Sequence, residues 1–370
     1  RHPDGDNWDG VRPARAARLT VHDPYVESAI MLRGQRVPLA ANFTAGYGVW
    51  LARANFNRQS LRSLLGREGG IDRPHVYLMQ PYDPNRRIIV MLHGLASSPE
   101  AWVELANEIL GDEALRQHYQ IWQVYYPTNM PVALHHAMIR RAPGDTLTHF
   151  DPSGQAPASS DLVLVGHSMG GVIARLMVSS TDQSLVQLAA DHSRLTPQQI
   201  RRIDPMLRFE PFPNVSSAIF IAAPHRGTSV AGGRLGRWMA GFIRFPITVL
   251  EELAHTLAPN AAASSRESLA TIPNSVNNLD ENDPFVRTAA GFPISSQVRY
   301  HSIVAQANSE VALDDSDDGL VPYRSAHLPG AQSEKVIISG HSVQQSAAAI
   351  LEIQRILRED MALREAHLQP

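Results

Sequence analysis

Short, continuous apolar runs alternate with stretches of helical spacing through most of this chain. His75 to Met79 and Arg87 to Leu92 are β-rich runs divided by the turn-forming Pro81-Tyr82-Asp83-Pro84-Asn85. A helical spacing from about Pro99 to Leu110, a strand pattern from Tyr119 to Tyr126 and a second helical spacing around Val132 to Ile139 follow. Leu162 to Val165 is again a buried-strand run and passes into the helical pattern Val172, Ile173, Leu176 and Met177. Ser217 to Ala222, Val298 to Val304 and Lys335 to Ser339 complete the strands, and a closing helix carries Ala347, Ile350, Leu351, Ile353 and Leu357 on one side. This alternation predicts an α/β fold, a mostly parallel central sheet with helices on both faces.

Four segments depart from the alternation. Residues 1–20 are polar and read as a loose leading segment. From Ala41 to Leu65 the spacing of Val49, Leu51, Ala54, Phe56, Leu61, Leu64 and Leu65, closed by Gly66, predicts one or two helices that cover core surface. Tyr47, Trp50 and Phe56 leave a partner-facing or membrane-facing role as the alternative. Residues 1–74 thus form an N-terminal helical extension. The polar stretch from Thr181 to Phe212 reads as an insertion. Residues 224–296 read as a helical cap or lid insertion, since connections that long within a compact domain usually have this role. The core of the fold is then 75–223 with 297–370. Apolar groups of a cap pack on one another by default, but one placed over a reactive centre also faces the substrate. Trp238, Met239 and Phe242 are the substrate-binding candidates, and they suit a hydrophobic group.

The chain has 370 residues, 44% of them hydrophobic, which suits one large α/β domain with insertions. A net charge of −3 gives no electrostatic footprint for nucleic acid or an anionic membrane. The absence of cysteine excludes disulfides, thiolate catalysis and Cys-ligated metals. No apolar stretch is long enough to span a bilayer. The start at Arg1 suggests a processed form and hence a cell-envelope or secreted location, with a cytoplasmic one left open.

The sharpest motif is Gly166-His167-Ser168-Met169-Gly170, set between a strand and a helix. A strand turning sharply into a helix crowds its neighbours, and glycines on either side of Ser168 remove the clashing Cβ atoms. The Met169 amide, at the helix N-terminus, is placed to bind a developing negative charge. His93-Gly94-Leu95-Ala96-Ser97-Ser98 follows another strand, and the Leu95 amide is the expected second oxyanion donor. A serine alcohol needs a base, and the base needs a carboxylate. His341 lies in a Gly-preceded loop between the last strand and the last helix. Asp314, Asp315, Asp317 and Asp318 crowd one loop; Asp318, followed by Gly319, is the expected acid and Asp317 its rival. An exposed solvated loop is the plainer reading of this acidic cluster, and calcium is the alternative. His167, His93 and His225 are expected to be structural neighbours of the site.

These motifs resemble the lipase and esterase members of the α/β-hydrolase superfamily. HGLASS at 93–98 looks like the oxyanion loop, GHSMG at 166–170 the nucleophile elbow, DGLVP at 318–322 the acid loop and SGH at 339–341 the histidine loop. Ala223-Pro224-His225-Arg226-Gly227-Thr228 is similar to a segment that follows the next strand in many lipases. The resemblance covers about Val76 to Ile356 and implies acylation of Ser168 by an ester, followed by hydrolysis with water activated through His341. It also implies that no cofactor is needed. It leaves residues before 75 unmatched. The expected substrate is a hydrophobic ester such as an acylglycerol, or an aliphatic polyester, with lipid contact at an interface as a further expectation. The alternatives are an acyltransferase or thioesterase using the same triad, or a non-catalytic lipid-binding module. The sequence leaves the oligomeric state open.

Overall fold

The computed structural model describes residues 2–3, 17–39, 41–54, 73–95, 97–128, 132–192, 196–229 and 279–368. The chain divides into two units, Arg1–Phe43 and Thr44–Pro370. In the first, Ala29–Leu32 and Gln35–Pro38 pair antiparallel as a hairpin. Its two-residue turn, Arg33-Gly34, has positive φ at both positions (51° and 77°), the geometry that matches the twist of the flanking strands. A two-residue pairing of His2–Pro3 with Ala17–Arg18 lies within the leading segment, and Tyr25 meets Phe43 edge to face at 5.0 Å.

The second unit is built on a seven-stranded sheet. In chain order its strands are β1 (His75–Leu78), β2 (Arg87–Leu92), β3 (Tyr119–Tyr125), β4 (Leu162–His167), β5 (Val215–Ile221), β6 (Arg299–Gln306) and β7 (Ser333–Ile338). The order across the sheet is β7-β6-β5-β4-β2-β3-β1, parallel throughout except for the antiparallel edge pair β1 and β3. Every residue of β2, β3 and β4 is buried, as helices on both faces require of a central parallel strand. The α/β architecture expected from the alternation is therefore present.

Helix α1 (Ala45–Ala54) covers the edge of this sheet. The Tyr47 hydroxyl donates to Gln123 Oε1 at 2.6 Å, Leu51 packs with Tyr125, and Trp50 meets Tyr77 with ring centroids 5.2 Å apart. Phe56 and the remainder of that predicted helical stretch lie outside the described residues. After β2 a 3-10 turn, Pro99–Trp102, leads into α2 (Val103–Gly111) and α3 (Glu113–His118). Helix α4 (Val132–Phe150) extends well beyond the Ile139 expected from spacing and passes through Pro143. Tertiary contacts hold its later turns: Arg140 donates to the Glu210 carbonyl and lies over the Phe212 ring at 5.5 Å, and Leu147 packs on the core.

Helix α5 (Met169–Met177) follows β4, and the polar stretch after it folds into α6 (Ser184–His192) and α7 (Pro197–Leu207). The stretch is bound to the core, since Leu185, Leu207, Phe209 and Phe212 are buried there. The residues at 224–229 and 279–296 are the described ends of the segment expected to form the cap. They meet in a bridge between Thr228 and Asp280. Helix α8 (Pro284–Ala290) then contributes Phe285, Val286 and Ala289 to the main core.

The final helix, α9 (Ala347–Leu368), is clasped to the strand starts by Asp360. Arg87 Nη1 lies 2.5 Å from Asp360 Oδ2, Arg299 Nη2 2.5 Å from Oδ1, and Tyr119 donates to Oδ2 at 2.8 Å. Arg87 also donates to the Asp161 carbonyl at 2.6 and 2.9 Å, so this buried charge is satisfied on every side. No helix among the described residues is long and apolar enough to cross a membrane.

Candidate active site

The candidate residues gather where β2, β4, β5, β6 and β7 end, because each lies in the loop that leaves the C-terminal end of its strand. Ser168 sits between β4 and α5 with φ 55° and ψ −126°, a left-handed conformation that a non-glycine residue adopts only under constraint. The constraint is visible: the Ser168 amide donates to the Ile221 carbonyl at 2.9 Å, and its own carbonyl accepts from Gly171 at 2.9 Å. A Cβ at Gly170 would run into the carbonyl oxygens of Leu92 and His93, and one at Gly166 into the Gly170 carbonyl. The two glycines thus let β4, α5 and the end of β2 pack at contact distance.

His341 Nε2 lies 2.8 Å from Ser168 Oγ, and His341 Nδ1 lies 2.8 Å from Asp318 Oδ2. A carboxylate only accepts, so Nδ1 carries the proton and the bare Nε2 faces the serine hydroxyl, which donates to it. Asp318 is buried, whereas Asp314, Asp315 and Asp317 are exposed. Its Oδ1 accepts from the amides of Leu320 at 2.9 Å and Val321 at 2.7 Å. Asp317 turns away and accepts from the Gly319 amide at 2.7 Å. Gly319, at φ 93°, supplies the backbone turn expected of it. Among the described residues no cluster of three or more His, Asp or Glu side chains is arranged to hold a metal ion.

The 93–95 loop lies directly against Ser168, since a Cβ at Gly94 would stand 3.0 Å from Ser168 Cβ. Leu95 follows, its side chain packed on the core. The amide of Met169 precedes the first intrahelical bonds of α5, which run from Gly171 and Val172 to the Ser168 carbonyl. Trp238, Met239 and Phe242 lie outside the described residues, as does Ala96.

Two histidines buttress the site without joining the relay. His167 Nε2 donates to the backbone carbonyl of His341 at 2.8 Å, tying the elbow to the histidine loop. His93 Nδ1 donates to the Gly94 carbonyl at 3.0 Å, and its Nε2 accepts from the Tyr126 amide at 3.3 Å. The Tyr126 hydroxyl returns a bond to the His93 carbonyl, and the two rings stack at 4.2 Å. Sequence reading placed His167 and His93 near the site but could not see these bonds, because they end on backbone groups with no residue-type signature. His225 is buried beside Phe220, at the end of β5.

Burial holds His93 at a pKa of about 4 and His167 and His136 at about 3, all neutral in the fold. Unfolded, each would titrate near 6.5, so below that pH the unfolded chain binds more protons. Stability is therefore full above pH 6.5 and lost as pH falls toward 4 and 3. His136 packs on Phe209 at 4.1 Å, away from the serine relay. Replacing it by phenylalanine is expected to flatten the fall of unfolding free energy between pH 6 and 4 by about 1.4 kcal/mol per pH unit. Urea unfolding across that range measures it; an unchanged slope would mean that His136 is not held neutral.

A family model described as "Alpha/beta hydrolase family" matches residues 89–353. No curated protein matches the sequence. Among solved structures, a Bacillus licheniformis lipase in mature form is similar at 17% identity and TM-score 0.45, over 76% of this chain and 98% of that one. The Staphylococcus hyicus lipase is similar at 13% identity and TM-score 0.47, over 78% and 99%. A metagenomic carboxyl esterase is similar at 17% identity and TM-score 0.38, over 75% and 77%.

Proposed function

Because the chain belongs to the alpha/beta hydrolase family, we propose that it is a serine carboxylic-ester hydrolase acting on hydrophobic esters through an acyl-enzyme on Ser168. The observation that carries this reading is the unbroken relay from Ser168 Oγ through His341 to Asp318, with both links at 2.8 Å. Ser168 Oγ attacks the ester carbonyl as its proton passes to His341 Nε2, and Asp318 stabilises the imidazolium. The amides of Met169 and Leu95 receive the oxyanion. As the intermediate collapses, His341 returns its proton to the leaving alcohol. Water then repeats the sequence on the acyl-enzyme and releases the acid. The preference for hydrophobic esters rests on the large apolar residues Trp238, Met239 and Phe242 that the sequence places within 224–296.

The test is hydrolysis of p-nitrophenyl esters of increasing acyl length. Release of p-nitrophenol that rises with chain length, at least through the short and medium acyl groups, is expected. Turnover restricted to acetate would remove the hydrophobic preference. No turnover of any ester by folded protein would remove the reading itself.

A further inference from the structure

We propose that Thr228 is a positioning residue for the acid of the relay, acting through the peptide group between Leu320 and Val321. The proposal rests on the reading of Asp318 as that acid. The Thr228 hydroxyl donates to the carbonyl oxygen of Leu320. The amide on the other side of the same peptide, Val321 N–H, donates to Asp318 Oδ1 at 2.7 Å. A peptide group is planar, so fixing the direction of its C=O fixes the direction of its N–H. A bond accepted by the oxygen also polarises the amide and strengthens it as a donor. Thr228 thus aims the Val321 N–H at one carboxylate oxygen of Asp318, while the other faces His341 at 2.8 Å.

The threonine is itself rigidly placed. Its amide donates to the Leu279 carbonyl at 2.8 Å. The preceding carbonyl, that of Gly227, accepts from Ser325 Oγ at 2.5 Å, and Ser325 Oγ in turn accepts from the Arg226 amide at 3.1 Å. Gly227 has φ 76°, and a Cβ there would meet the backbone of Glu281 at 2.7 Å, so its place beside residues 279–281 admits no larger residue. The segment after β5 and the loop after β6 are therefore joined by side chain-to-backbone bonds at Arg226, Gly227 and Thr228. Only the bond from Thr228 ends on a peptide that contacts the Asp318 carboxylate.

Steady-state kinetics of Thr228→Val and Thr228→Ser, each in the otherwise unaltered protein and with Asp318→Asn, test the link. Valine keeps the shape and removes the donor. The expected result is a kcat about ten-fold lower for Thr228→Val, the worth of one hydrogen bond, with KM changed less than about two-fold. Thr228→Ser restores kcat to within about two-fold. In the Asp318→Asn protein Thr228→Val brings no further ten-fold loss, because the carboxylate-to-imidazole link it supports is already broken. An equal loss in both backgrounds, or failure of serine to restore kcat, would overturn the proposal. Thr228→Cys, similar in size with a weak donor, gives the same comparison should the valine variant not fold. The low-field proton resonance of His341 Nδ1–H reads the link without substrate: it moves upfield in Thr228→Val and returns in Thr228→Ser. An unmoved resonance overturns the proposal, whereas failure of the functional reading shows as absent ester turnover in a protein whose resonance still responds.

Discussion

Ser168→Ala is expected to lower ester turnover by about 10^4- to 10^6-fold while leaving the protein folded. The hydroxyl is the only atom removed, and it makes no bond that holds the fold: its hydrogen bond goes to His341, whose ring is also held by Asp318. Alanine inherits the same φ of 55°, so the strain at the turn is unchanged and unfolding free energy should move by less than about 1 kcal/mol. KM for a bound ester should stay within a few-fold, since the residues that surround the acyl group are untouched. A variant that kept a tenth of its activity would show that Ser168 is not the nucleophile.

The second large effect separates two adjacent carboxylates. In Asp318→Asn, the amide oxygen would keep the bonds from Leu320 and Val321, which turns the new NH2 toward His341 Nδ1. Two donors cannot face each other, so the imidazole takes the other tautomer and presents N–H to Ser168. It can then no longer accept the serine proton, and turnover should fall about 10^4-fold. In Asp317→Asn, the oxygen that accepts from Gly319 survives, and no bond reaches His341. Turnover there should change less than about three-fold. Steady-state rates of the two variants decide it, and equal losses would leave the acid unassigned to Asp318.

Much of the sheet was legible because buried parallel strands must be apolar on both faces: Ile88 to Leu92 and Leu162 to Val165 admit hardly any other reading. The elbow was legible for a steric reason, since glycines at 166 and 170 are demanded by the carbonyls they touch. The choice between Asp317 and Asp318 was less so. Both precede Gly319, and they are distinguished by the amides of Leu320 and Val321, which carry no side-chain signal. The apolar spacing that marks helix α4 ends near Ile139, and Pro143-Gly144 is a strong breaker; contacts from Glu210 to Phe212, distant in sequence, carry the helix on. The hairpin at Ala29–Leu32 and Gln35–Pro38 went unnoticed because Arg33-Gly34 lacks the asparagine or aspartate that usually marks such a turn. Trp238, Met239 and Phe242 remain expectations of the sequence alone.

The Asp360 clasp sets a condition on the order in which the molecule matures during synthesis. Arg87 begins the second strand of the sheet, yet its carboxylate partner is supplied from the final helix, after every strand has been made. Without residue 360, a guanidinium destined for the interior has, among the described residues, the Asp161 carbonyl, Ser216 and Tyr119 as hydrogen-bond partners and no carboxylate against its charge. A nascent chain can therefore pair its central strands early, but it cannot seal that end of the sheet. Truncation before residue 360 is therefore expected to leave Arg87 without its carboxylate and that end of the sheet unsealed.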